Sequence, residues 1–187
     1  MRIVRGKPRN GAGNLSEEWI MTAAQRLIEA LERAPGILIP LVRQADPAIV
    51  KQRPPSGKWS IHEHACHLAA VHPLFFTRLD LMLSEKNPAI RSYEPGRDDH
   101  PDALLHVDLD DALARFQRDR GRLVERLRRL RPEDWARTAT HEEYNSYSVF
   151  TMFRHVALHD FFHAYRIEEL LLRKEWPPPS PLSGADG

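Results

Sequence analysis

A single cysteine, Cys66, stands in the whole chain, so no internal disulfide can form. This usage suits a reducing compartment, and a cytoplasmic location is expected. Long hydrophobic runs are missing too. No stretch approaches the ~20 apolar residues of a membrane span. The start, Met1-Arg2-Ile3-Val4-Arg5, lacks the apolar core of a signal peptide. Neither charge dominates, because 27 Lys and Arg face 26 Asp and Glu. That balance argues against the positive field of a nucleic-acid-binding protein. There is no internal repeat at a fixed period. Strand-like alternation is absent as well, with Tyr144 to Val149 the one ambiguous stretch.

What the sequence does contain is helical periodicity. Its 187 residues suit one domain of ordinary size. Residues 1–14 are basic and rich in Gly and Asn, and read as a disordered segment. Residues 15–175 read as a helical domain, and 176–187 as a flexible Pro-rich tail.

Four main helices are expected. The first spans Ser16 to Ala45, capped by Ser16, with Pro35 and Pro40 predicted to kink or split it. The second opens at Ser60-Ile61-His62-Glu63, a capping box, and runs to Ser84. The third spans Asp108 to Leu130, with Leu113, Phe116, Leu123 and Leu127 on its buried face. The fourth spans Ser148 to Lys174, with Phe153, Val156, Ile167 and Leu170 inward. A short turn of helix is expected at Pro132 to Trp135. The fold class is all-α, a helical bundle. The long loop between the second and third helices indicates a crossover rather than a tight hairpin. Seven arginines between Arg118 and Arg131 read as a solvated helix face. A polyanion- or partner-binding stripe is the lesser alternative.

Histidine carries the chemistry. On the fourth helix, His155, His159 and His163 recur at intervals of four, about one helical turn, so all three lie near one face. One metal ion can take two neighbours from such a row, either His159 with His163 or His155 with His159. A satisfied core residue or a surface pair would show the same spacing. His67, on the second helix, can supply a third ligand, and three neutral imidazoles with an open position are the ligand set of a catalytic metal. Glu63 lies four residues before His67 and shares its face. Its cap role already explains it, and a general base beside a metal-bound water is its sharper role. His62 is expected in solvent. His64 is a possible further member of the site, and His72 should face elsewhere. Cys66 reads as a small buried thiol. Asp160 points away from His159 and should orient a neighbouring element.

These residues resemble a known family. Lys58-Trp59-Ser60-Ile61-His62-Glu63, then His67-Leu68-Ala69 and Arg78-Leu79, resemble the second-helix pattern of DinB-like (YfiT-type) proteins. Ala157-Leu158-His159-Asp160-Phe161-Phe162-His163 resembles their last-helix HDxxH motif. The resemblance runs from about Leu27 to Leu171. It implies an antiparallel four-helix bundle, often a homodimer. It implies a divalent metal, nickel or zinc, held by His67, His159 and His163, with His155 left outside. It further implies a metal-dependent hydrolase or a transferase of low-molecular-weight thiols. Two positions depart from the family pattern: Ala70 replaces a frequent Asp, and Ala164-Tyr165-Arg166 follows the last histidine where a polar residue is common.

The expected partners are a small-molecule substrate or thiol cosubstrate and a second copy of the chain, with no nucleic acid and no membrane. Arg78, Tyr144 and Tyr147 are candidate substrate contacts. A bundle that binds metal for stability or sensing, without turnover, is the alternative.

Overall fold

Pro73 decides how the second helical segment is built. A computed structural model describes residues 17–93, 100–174 and 176. In it the expected helix from Ser60 to Ser84 is two helices, α2 (Ile61–Ala70) and α3 (His72–Ser84), hinged at Val71. Pro73 has no N–H for the carbonyl of Ala69, and its ring clashes there, so one straight helix cannot pass. The ends of this segment are nevertheless close to those expected. The Pro54–Gly57 turn feeds α2, with Gly57 N–H bonded to Pro54 O at 2.9 Å and Gly57 at φ +70°, where glycine is favoured. Ser60 Oγ accepts from Glu63 N, and the Glu63 carboxylate accepts from Ser60 N, completing the capping box.

The opposite outcome holds in the first helix. α1 (Glu17–Arg43) runs unbroken through Pro35 and Pro40, which corrects the expected split. Pro35 strips the carbonyl of Leu31 of its helical donor. Arg120 Nη1, from another helix, bonds that carbonyl at 3.3 Å. Ser16, the expected cap, lies outside the described residues, as do the 1–14 segment and all of the 176–187 tail except Trp176.

α4 (Leu109–Arg128) begins at Asp108, whose Oδ1 accepts from Asp111 N at 2.9 Å. α5 (Pro132–Trp135) is the expected short turn. α6 (Val149–Leu171) begins at Ser148, whose Oγ accepts from Thr151 N at 3.1 Å. α1, the α2–α3 pair, α4 and α6 form the four-helix bundle. α1 packs on α4 and α6, and α2 packs on the same two helices. Among the described residues no helix is long and apolar enough to cross a membrane.

A small sheet joins the helices, with its last strand inside the ambiguous Tyr144–Val149 stretch and its other two strands unexpected. β1 (Ala89–Ile90) pairs in parallel with β2 (Thr138–His141), and β2 pairs antiparallel with β3 (Tyr147–Ser148). Strands of two to four residues are too short to show alternation. The sheet brings His141 and Tyr147 to the same end of the bundle, their rings 4.5 Å apart.

Two apolar clusters fill the interior. One holds Leu31, Leu79, Leu123, Trp135 and Phe153; the other holds Leu38, Ile61, Leu68, Phe116 and Ile167. Arg120 and Asp160 are buried side by side at 2% exposure each. Arg120 Nη2 donates to Asp160 Oδ1 at 3.0 Å, Nη1 donates to Oδ2, and Nε donates to His72 Nε2 at 3.1 Å. Asp160 therefore ties α6 to α4, as expected of a residue that turns from the metal. Arg120 itself corrects the reading of the arginine run as a solvated face. Most of its other members meet acids: Arg128 with Glu32 at 2.7 Å, Arg126 with Asp80, and Arg131 with Glu133 at 3.0 Å.

His72 makes this core sensitive to acid. Burial, reinforced by the Arg120 charge, holds its pKa down at about 3. The unfolded chain accepts a proton near pH 6.5 that the folded one refuses. Stability is therefore fully present above pH 6.5 and falls as pH drops toward 3. The loss is about 1.4 kcal/mol per pH unit, or about 2 kcal/mol between pH 6.5 and 5, from this one ring. Urea unfolding across that range should show a shallower pH slope in His72→Asn, which keeps an acceptor for Arg120. An unchanged slope would contradict the assignment.

Candidate metal centre

α2 and α6 pack directly, and their facing sides carry histidine. His67 lies in the last turn of α2, while His159 and His163 stand one turn apart on α6. His67 Nε2 and His163 Nε2 each lie 3.0 Å from His159 Nε2. One ligand atom from each of the three rings falls within 4.8 Å of the other two. The His159 nitrogen offers a single in-plane proton or lone pair, so it cannot hydrogen-bond properly to both neighbours. Three nitrogens aimed at one point are what a shared cation requires. With metal–nitrogen bonds of about 2.0–2.1 Å, ligand nitrogens sit about 2.9 Å apart at right angles and about 3.4 Å apart at tetrahedral angles. The 3.0 Å spacings fit that range.

The electrostatics agree. Burial, aided by the neighbouring imidazoles, lowers the pKa of His67 to about 3 and pushes that of His163 down. Burial also lowers His159, against the pull of Asp160. Each ring thus stays neutral and keeps a lone pair at ordinary pH. Cys66, one residue from His67, takes no part: it is fully buried, and burial raises its thiol to about 12.

His155 is not among the converging rings. It stands in the wall of the adjoining cavity, edge-on to Tyr144 at 5.3 Å. The cavity encloses about 590 Å³, and the three histidines form part of its lining together with Trp59, Arg78 and Tyr147. That volume suits a small molecule.

Glu63 is not among the residues that line this cavity. Arg53 Nε bonds both of its oxygens at 3.0 Å, and Ser60 N bonds Oε2 at 2.9 Å. Burial would raise this carboxyl, but the bonds from Arg53 and Ser60 outweigh it and hold the pKa below the usual carboxylate range. A carboxylate so engaged is a weak base.

One histidine departs from expectation. His62, expected in solvent, is 1% exposed, with Nε2 3.0 Å from the carbonyl of Leu104. The 3₁₀ turn Ala103–His106 lies over this end of α2, a long-range contact that local spacing cannot signal. His64, a possible further member of the site from its position on the helix, is buried, and its Nδ1 lies 2.7 Å from His163 Nδ1. Burial lowers its pKa to about 4.

Trp59, which the sequence marks only as part of a motif, packs its ring 4.8 Å from His67 and stacks it at 6.0 Å on His163. Its place beside the cap serine was the available signal.

Comparison with known proteins agrees with this geometry. Residues 30–167 match the model of the DinB superfamily. A protein of Oceanobacillus iheyensis named "putative metal-dependent hydrolase" is 32% identical over 124 residues, covering 65% of this chain and 70% of that protein. A Bacillus mycoides protein with the same description is 26% identical over 165 residues, 88% of this chain and 92% of that one. Among solved structures, YfiT from Bacillus subtilis superposes with a TM-score of 0.73 at 25% identity. The match covers 90% of this chain and 93% of that one, and the structure is described as "a probable metal-dependent hydrolase with an unusual four-helix bundle topology".

Proposed function

The chain belongs to the DinB superfamily, and on that footing we propose that it is a metal-dependent enzyme, a hydrolase or a transferase of low-molecular-weight thiols. Its divalent cation, nickel or zinc, is held by His67, His159 and His163. The observation that carries the reading is the convergence of three neutral Nε2 atoms on the wall of a cavity of about 590 Å³. Imidazole serves nickel and zinc alike. A cation there supplies a Lewis acid, able to polarise a carbonyl or to ease deprotonation of a water or thiol.

The chain's own residues do the rest. Trp59 packs over His67 and His163 and shields that side of the rings. Arg78 and Tyr147 offer a positive charge and a hydroxyl to the polar part of a small-molecule substrate. We assign Glu63 to holding the start of α2, and through it His67, rather than to proton transfer, since Arg53 and Ser60 occupy its oxygens. We further propose a cytoplasmic location, which a lone free cysteine suits.

The test is metal analysis of protein purified without a histidine tag, joined to a screen of ester, amide and thiol-transfer substrates with and without chelator. About one equivalent of metal and chelator-sensitive turnover are expected. Metal that raises the melting temperature without any turnover would mark a binding or sensing bundle, and metal below about a tenth of an equivalent would end the proposal.

The proposal extends to a homodimer. Leu158, Phe161, Phe162 and Tyr165 recur at helical spacing on α6 and are 58%, 50%, 56% and 63% exposed. A stripe of this kind suits association with a second copy. Light scattering should give twice the 21.6 kDa chain mass, and Phe161→Glu with Tyr165→Glu should return it to the single-chain value. A monomer at micromolar concentration would refute the pairing.

A further inference from the structure

We propose that His64 is a positioning residue for the metal centre. It accepts a hydrogen bond from His163 Nδ1–H and so turns the lone pair of His163 Nε2 toward His67 and His159. The assignment rests on those three histidines holding a cation.

A neutral imidazole has one proton for two nitrogens. His64 Nδ1 and His163 Nδ1 are 2.7 Å apart, and the residues are 6% and 3% exposed. Two buried nitrogens at that distance must share one proton. If His163 donates it, its Nε2 is a bare lone pair pointing at His159 Nε2, 3.0 Å away. If His64 donates it, the His163 proton sits on Nε2 and blocks the centre. Only the first arrangement suits a cation, and it requires His64 as the acceptor.

Metal-binding histidines commonly donate their second N–H to a carboxylate or a carbonyl, which fixes tautomer and ring angle. Here another imidazole fills that place. Trp59 sets the rings further, edge-on to His64 at 5.5 Å and stacked on His163 at 6.0 Å with 20° between planes. His159 makes the contrast plain, since its Nδ1 is buried and meets no hydrogen-bond partner among the described residues. Among the described residues, the tautomer of the α6 pair is thus specified from outside at His163 and not at His159.

The test uses zinc ion as the probe, competed against a chromophoric chelator, on the full chain and on three variants. His64→Leu removes the acceptor and should weaken zinc binding about 10- to 100-fold. His64→Asn places an oxygen near the lost Nδ1 and should recover most of that affinity. A role in packing alone would not distinguish the two. His67→Ala is the control for the centre itself. Nitrogen-15 side-chain spectra of the metal-free protein should show His163 protonated at Nδ1, and in His64→Leu the population should shift toward Nε2–H.

The idea is overturned if His64→Leu binds zinc like the parent while His67→Ala does not. It is equally overturned if His64→Asn is as weak as His64→Leu. If His67→Ala also binds like the parent, the metal reading fails instead, and the spectra judge the His64–His163 bond directly. Should His64→Leu not fold, the parent spectrum decides, because an Nε2–H tautomer at His163 refutes the proposal.

Discussion

Replacing His67 with alanine is expected to drop bound divalent metal from about one equivalent to below a tenth, with the fold retained. The expectation follows from where the ligands stand. His159 and His163 come from one helix and remain as a pair, but two imidazoles leave a divalent ion short of the three protein ligands usual at catalytic sites. His67 is the single ligand from α2, so its loss leaves both remaining ligands on one helix. Structural damage should be slight, because His67 lies beside a cavity that can admit water to replace its ring. Metal analysis, circular dichroism and turnover on the same preparation separate the outcomes. A variant that keeps both metal and turnover would remove His67 from the site, whereas loss of metal with an unchanged spectrum supports the assignment.

The second large effect lies in the buried pair of Arg120 with Asp160, the residue after His159, and has no direct part in the centre. Arg120→Met is expected to cost about 3–5 kcal/mol, the usual consequence of stranding one member of a buried ion pair. Asp160 would keep a carboxylate at 2% exposure with no cation, and His72 Nε2 would lose its donor. For a chain of this size that corresponds to a fall of about 10 °C in melting temperature. The paired change Arg120→Met with Asp160→Leu should recover much of the loss, because it removes the uncompensated charge together with its partner. If the double variant is no better than the single one, the ion pair is not the source of the effect. Since Asp160 adjoins His159, metal affinity measured on the folded fraction should decline as well, but far less than in His67→Ala.

Most of this molecule could be read from local pattern. Caps at Ser60, Asp108 and Ser148 mark helix starts through short side-chain bonds, and the buried stripes of α4 and α6 follow 3.6-residue spacing. The alternation of histidines narrowed the α6 ligands to two pairs, and the family resemblance chose between them. What could not be read depends on residues distant in sequence. Pro35 was expected to break α1 because the donor that replaces its missing one belongs to residue 120. Arg120 looked like one more solvated arginine because Asp160 is forty positions away. His62 looked exposed because the turn that covers it begins at Ala103. His64 has the same character, since its partner is ninety-nine residues on. Composition and spacing carry no record of such meetings.

Pro35 also bears on how α1 is aligned with α4. Two helices that pack through rows of Leu and Ala can slide past each other by a turn, about 5.4 Å, and still find apolar neighbours. Pro35 leaves one carbonyl on α1 bare, and a single guanidinium on α4 reaches it. A slipped alignment would bury that oxygen with nothing to meet it. The imino acid that ought to have weakened the helix instead opens a place on it for a donor from its neighbour, and that bond favours one axial level of α1 against α4.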